Sequence, residues 1–154
     1  MSEAKHLLIV FHSQGGGTET MAEAARRGAS QEEGVEVRML RALEAGLDDL
    51  LWAGAVIFGT PENFGYMSGA LKDFFDRTFY PAQGKVNQLP YAVFIKAGND
   101  GGGALMNIER IAKGYPLRKV AEPIVAKGAV TDEVLAQCEE LGQTLAAGLA
   151  LGIF

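Results

Sequence analysis

The chain reads as an α/β protein, a three-layer α/β/α sandwich on a five-stranded parallel sheet in the order 2-1-3-4-5. Three observations predict this. Strand-length apolar runs alternate with segments of helical periodicity five times along the 154 residues, with no internal repeat and no linker. Residues 7–11 (LLIVF), 55–59 (AVIFG) and 91–95 (YAVFI) are continuously apolar, as strands covered on both faces must be. Each of these runs ends in a glycine-bearing or polar loop, and in a wound sheet of this order all three loops open on one crevice. A single domain over residues 1–154 is the expectation.

Taken in order, the first strand stops abruptly at His12 and Ser13, and Gly15, Gly16 and Gly17 follow. A helix is expected over residues 18–30, since Met21, Ala24, Ala25 and Gly28 recur on one face. Gly34 resets the chain, and residues 35–40 (VEVRML) alternate like a half-exposed strand near a sheet edge. A short helix is expected at 47–52, with Trp52 as packing. The central strand at 55–59 leads into the second loop, 60–67 (TPENFGYM). The third helix, from about Ser68, turns Leu71, Phe74, Phe75 and Thr78 inward and Lys72, Asp73, Asp76 and Arg77 outward. Residues 81–90 connect to the fourth strand, whose end opens the third loop, 97–103 (AGNDGGG). Helix four covers 104–113, with Leu105, Ile108, Ile111 and Ala112 on its apolar face. The last strand is expected within 120–125 and at an edge, because Pro123 cannot donate a ladder hydrogen bond. Thr131 or Asp132 caps the final helix, along which Val134, Cys138, Leu141 and Leu145 share one face.

Composition narrows the function. Apolar residues make up 48% of the chain and charged residues 21%, which suits a packed core and not a disordered segment. The formal net charge of −5, with no cluster of Lys and Arg, argues against nucleic acid and anionic membranes as partners. The one cysteine, Cys138, leaves no internal disulfide and fits a reducing compartment as a small core residue. The N-terminus lacks the form of a signal peptide, and no apolar run approaches the roughly 20 residues of a membrane span. A cytoplasmic protein with no membrane insertion is the expectation.

The junction of the first strand and helix carries the chemistry. The first turn of a helix has N–H groups without intrahelical partners, at the positive end of its dipole, so it attracts anions. Glycines let a phosphate approach the backbone, and Ser13, Thr18 and Thr20 add hydroxyls. Residues 13–20 therefore read as a phosphate cradle. By itself the loop is equally an ordinary strand-to-helix turn in which Thr18 only caps its helix. The convergence of the other two loops favours the cradle, with those loops forming a slot for a flat ring.

Other chemistries on this architecture lack their residues. A receiver domain needs acidic groups where His12, Ser13, Gly59 and Thr60 stand. A dinucleotide fingerprint needs a third glycine where Thr20 stands and an acid after the second strand, where Arg41 stands. There is no G-K-[ST] and no G-x-S-x-G. His6, His12 and Cys138 do not make a zinc cluster. His12 sits within reach of a phosphate or serves the strand end.

These residues resemble a known group. Ser13, Gly16, Gly17, Thr18 and Glu19 resemble the phosphate loop of flavodoxins, and the stretch from His12 to Ala22 also resembles NAD(P)H:quinone oxidoreductases of the WrbA type. Gly59-Thr60-Pro61, Phe64-Gly65 and Met67-Ser68-Gly69 match the second flavin loop of that type. Ala97-Gly98 and Gly101-Gly102-Gly103 are similar in kind to the third. The resemblance covers nearly the whole chain and implies a flavodoxin-like fold with non-covalent FMN. Two departures stand out. Gly15 and Gly17 replace the hydroxyl residue and Asn that many flavodoxins carry, which removes donors. The added segment by which the WrbA type assembles tetramers and pyridine-nucleotide sites has no room in this chain.

The resemblance implies a set of FMN-binding residues. Ser13, Gly15, Gly16, Gly17 and Thr18, with Thr20, would hold the phosphate, chiefly through backbone N–H groups. Thr60, Pro61, Glu62, Asn63, Phe64 and Gly65 would border the isoalloxazine. Phe64 is the ring contact or a plain core residue, Asn63 a hydrogen-bond partner, and Glu62 a partner or a solvated carboxylate. Ala97, Gly98, Asn99 and Asp100 would meet the pyrimidine edge or ribityl chain, or Asp100 only makes a turn. No residue reads as an obligatory acid or base. The leading expectation is an FMN-dependent oxidoreductase with NAD(P)H as co-substrate and a quinone-like or flavin acceptor. Its rivals are a flavodoxin-type electron carrier serving a redox partner protein, and a flavin-binding signalling module. Flavodoxins often sandwich the ring between two aromatics; here Phe64 leads, and Tyr66 and Tyr80 follow. Tyr66, Met67, Phe79 and Tyr80 are candidates for a homodimer surface or for buried packing.

Overall fold

The computed structural model describes residues 3–154. Its elements run β1 (Lys5–Phe11), α1 (Gly17–Ala29), β2 (Val35–Arg41), α2 (Leu47–Trp52), β3 (Ala55–Asn63), β4 (Tyr66–Met67), α3 (Gly69–Ala82), β5 (Leu89–Ala97), α4 (Gly102–Gly114), β6 (Leu117–Lys119), β7 (Ile124–Lys127) and α5 (Asp132–Ala150). The backbone of the sheet is parallel in the order β2-β1-β3-β5-β6, with β7 also paired to β5. This is the wound order expected from the sequence, and it makes the fold flavodoxin-like.

Strand composition explains the layers. Successive side chains of a strand point to opposite faces. Along β1, Leu7, Ile9 and Phe11 enter the core under α1 and α5, while Leu8 and Val10 enter the core on the other face. The second core is aromatic: Phe58 meets Phe75 edge-on with ring centroids 4.9 Å apart, and Phe74, Tyr91 and Tyr115 surround that pair. Leu71, Phe74, Phe75 and Thr78 of α3 all turn inward, as their spacing predicts. Helix α1 also uses its small residues against a neighbouring helix. A β-carbon at Gly28 would fall on the Glu139 carbonyl oxygen, and one at Gly142 on that of Ala25. The two glycines let α1 and α5 touch backbone to backbone.

Four expectations need correction. The sheet has seven strands, not five, because the fifth position is divided between β6 and β7 and a hairpin strand, β4, is added. The last strand is not a run within 120–125: residues 120–123 form the break itself, and pairing resumes at Ile124. Pro123 lacks the N–H that a continuous ladder would use, so the division falls beside it. The second loop is mostly strand. β3 runs on to Asn63, stays paired to β5 as far as Pro61 opposite Lys96, and then folds back antiparallel so that Glu62 faces Met67 and Asn63 faces Tyr66. Helix α3 also continues through Pro81 to Ala82, past the start of the expected connector. Among the described residues, no helix is long and apolar enough to cross a membrane.

Candidate functional site

The carboxyl ends of β1, β3 and β5 bring the three loops to one rim. At the first, β1 ends at Phe11 and Gly16 takes the left-handed conformation (φ 91°) as the residue before α1. Only glycine adopts that conformation without a side-chain penalty, which accounts for glycine at this position. The Gly16 N–H donates to Ser13 Oγ at 3.1 Å, closing the loop. The Thr20 N–H and hydroxyl both donate to the Gly16 carbonyl, at 3.0 and 2.9 Å. The N–H groups of Gly17, Thr18 and Glu19 therefore remain as the unpaired first turn. Thr18 is buried, and the space at Gly15 and Gly16 is open for more than 4 Å. Ser13 and Thr20 thus shape the cradle; the backbone supplies most of its donors, and Ser13 Oγ, which accepts here, keeps its own O–H.

The second loop is a two-residue turn, Phe64 and Gly65, with φ of 52° and 71°. A positive φ at a phenylalanine is uncommon and costs energy that the rest of the hairpin must supply. The phenyl ring is fully exposed, at 107%. That removes the reading of Phe64 as a core residue. Thr60 is wholly buried; its Oγ1 donates to the Pro61 carbonyl (2.8 Å) and accepts from the Ser68 N–H (2.9 Å). It anchors the hairpin base and offers the rim no hydroxyl. Asn63 Nδ2 donates to Gln14 Oε1 at 3.1 Å, tying the second loop to the first.

Glu62 and Gly103 tie the second loop to the third. The Ala104 N–H donates to Glu62 Oε2 at 3.1 Å, so this carboxylate sits at the positive end of α4. It is therefore not a simply solvated carboxylate, since Oε2 is held by the α4 terminus. A β-carbon on Gly103 would strike the Gly65 carbonyl. Asp100 Oδ1 accepts from the Gly102 N–H at 2.9 Å, which is the turn role weighed for it. Ala97 is buried, whereas Gly98 and Asn99 are exposed at the rim, with open space around Gly98.

Charge gathers around the first loop. Arg41, at the end of β2, pairs with Glu19 at 2.8 Å and lies over the Phe11 ring at 5.2 Å. Burial first, and the Arg41 cation second, lower the pKa of His12 below its usual value, so the imidazole is neutral at pH 7. Gln14 and Gly103 lie in the loops the sequence singles out but carried no individual role there, and Lys96 lay outside those loops altogether. Lys96 is the one charged residue in the apolar run of β5 and is half-buried, which was the available signal. Its stem crosses Gly17, where an added β-carbon would lie 2.5 Å from Cδ and 2.6 Å from Cε. Of the proposed dimer residues, Met67 is buried in the core and Tyr80 is 76% exposed, so the four do not form one patch. The 340 Å³ groove beside Tyr80, between α3 and α4, contains none of the rim residues.

Comparison with known proteins places this rim in context. The flavodoxin family model matches residues 9–111. A flavodoxin of Aquifex aeolicus (strain VF5) is 30% identical over 163 aligned positions, covering 94% of this chain and 87% of that protein. An NAD(P)H dehydrogenase (quinone) of Acidithiobacillus ferrooxidans is 36% identical over 92 positions, covering 47% of this chain and 46% of that protein. Among solved structures, a flavodoxin from the domain Archaea superimposes with a TM-score of 0.79 at 26% identity, covering 94% of this chain and 99% of the other.

Proposed function

This chain belongs to the flavodoxin family, and from that premise we propose that it binds FMN non-covalently at the three-loop rim and acts as an electron-transfer protein. The observation that carries the proposal is the joining of the loops. Gln14 to Asn63 and Glu62 to Ala104 hold them as one wall, from which a fully exposed phenyl ring projects. An unburied ring held at φ 52° suits a flat aromatic ligand stacked on it.

The residues present fit the group. The unpaired N–H groups of Gly17, Thr18 and Glu19 face the anion that the positive helix end favours, and the bare backbone of Gly15 and Gly16 admits it closely. Phe64, Asn63 and Gly65 would border the isoalloxazine on one side, and Gly98 and Asn99 on the other. Pro61, Glu62 and Thr60 would act by holding that hairpin, and Ala97 and Asp100 by setting the third loop. FMN, when bound, supplies the acceptance and release of electrons. This chain binds it, orients it and leaves one edge open.

Carrier and enzyme are two finer readings of the same site. The relative matched along nearly its whole length is a flavodoxin, which supports a carrier serving a redox partner protein. The partial match to an NAD(P)H dehydrogenase (quinone) supports an NAD(P)H-dependent reductase of quinone-like acceptors. We place the carrier first, because its supporting match spans the rim and the rest of the fold together. Anaerobic mixing of the FMN-loaded protein with NADH or NADPH decides between them. Reduction only through a separate reductase is expected. Rapid direct bleaching would establish the enzyme, and a protein that takes up no FMN would overturn both.

A further inference from the structure

We propose that Lys96 is a phosphate-selective residue of the FMN site, giving this chain a fixed cation where its loop has lost hydroxyl donors. The inference rests on the FMN reading above and goes beyond it. Lys96 stands at the carboxyl end of β5, on the side of the sheet that carries Phe94 and α1. Its register partner on β3 is Pro61. From there the stem crosses toward the first loop and lies against Gly17, filling the space that any side chain at position 17 would need. Glycine at 17 is what admits the lysine, so the two residues form one device.

Electrostatics supports the same conclusion. Among the described residues, Lys96 has no carboxylate within ion-pair distance, although it is half-buried. The covered part is the stem over Gly17, and the ammonium at its end has no protein counter-charge, so an anion held at the first loop would complete it. The neighbouring cations do not compete for that anion: Arg41 is paired with Glu19, and His12 is held neutral. Meanwhile the loop has lost hydroxyl donors: Gly15 and Gly17 carry none, and Thr20 donates instead to the Gly16 carbonyl, which leaves the O–H of Ser13. A charge-assisted contact is the strongest kind of hydrogen bond available to replace them.

The test compares FMN with riboflavin, which lacks only the phosphate. Binding is read by quenching of flavin fluorescence in wild type, Lys96→Met and Lys96→Arg, at about 20 and 300 mM salt, bracketing a Debye length of ~10 Å at 0.1 M. Lys96→Met keeps an apolar stem over Gly17, so packing is retained. FMN affinity is expected to fall about three- to tenfold in Lys96→Met at low salt. Riboflavin affinity should stay within about twofold, the salt dependence of FMN binding should flatten, and Lys96→Arg should restore both. Equal losses for the two flavins would show a packing role and overturn the inference, as would no loss for either. A wild-type protein that binds FMN no more tightly than riboflavin would instead overturn the phosphate site itself.

Discussion

Gly103→Ala tests whether the second and third loops work as one wall. The added methyl would meet the Gly65 carbonyl inside the closest distance that real β-carbons show, about 3 Å, so one side must retreat by roughly 1 Å. Helix α4 will not be the side that moves, because Ala104 and Ile108 are locked in the core. The hairpin tip will move, since Phe64 and Gly65 are exposed. Replacing a helical glycine by alanine gains about 0.5–1 kcal/mol, while a forced backbone shift costs about 1–3 kcal/mol. The net loss in stability is therefore about 1 kcal/mol, a fall of about 2–4 °C in Tm for a chain of this size. The effect on FMN is expected to be larger, because Phe64, Asn63 and Gly65 move together with the tip. A displacement of 1 Å is enough to weaken binding about tenfold, or ~1.4 kcal/mol. Flavin fluorescence titration and thermal unfolding of the FMN-free protein measure the two effects separately. FMN affinity within twofold of wild type, alongside the predicted loss in Tm, would refute the placement of the hairpin against the ring.

Four further outcomes are expected. Ser13→Ala combined with Thr18→Ala should weaken FMN by about 1–3 kcal/mol, read by the same titration; unchanged affinity would mean that the backbone donors suffice. Gly142→Ala should destabilise the fold by about 1–3 kcal/mol in urea titration, because the methyl separates α1 from α5 at the Ala25 carbonyl. Cys138 is fully buried and its thiol is pushed up to about 12, so an aromatic disulfide reagent at pH 8 should leave it unmodified until guanidinium unfolds the chain. The pKa of His12 is lower in the folded chain than its usual 6.5, so the unfolded state binds the extra proton first. Stability should fall as pH drops from about 6.5 through that depressed value, and urea titration should show a smaller fall for His12→Gln.

Most of the architecture was legible because it rests on one-dimensional signals. The apolar runs ending at Phe11, Gly59 and Ile95 have no solvent-facing alternative, and the facing of Leu71, Phe74 and Phe75 follows from helical spacing alone. The extension of β3 through Asn63 was not legible. Thr60-Pro61-Glu62-Asn63 carries turn-forming residues, and it is the pairing with β5 and then with β4 that holds it extended. Tertiary pairing outweighs local preference there. The loops of the candidate site could be read from their glycines, but the partners of their polar side chains could not. Whether Glu62 met a ligand or capped α4, and whether Thr60 faced the rim or the interior, depended on partners 42 and 8 residues away. Lys96 escaped notice because a lone charge ending a strand looks like a solvated terminus. Only the register against Pro61 and the missing side chain at Gly17, whose space its stem takes, give it a direction.

The divided fifth strand has a consequence for behaviour at high concentration. β6 and β7 contribute three and four residues to that border, with a proline between them, so no continuous ladder of free N–H groups is presented there. At the opposite border β2 carries Glu36, Arg38 and Arg41 among its seven residues. An incoming chain would find a broken template on one side and scattered charge on the other. Strand addition is disfavoured at both borders, and fibres built that way are expected to be slow to form when the protein is concentrated.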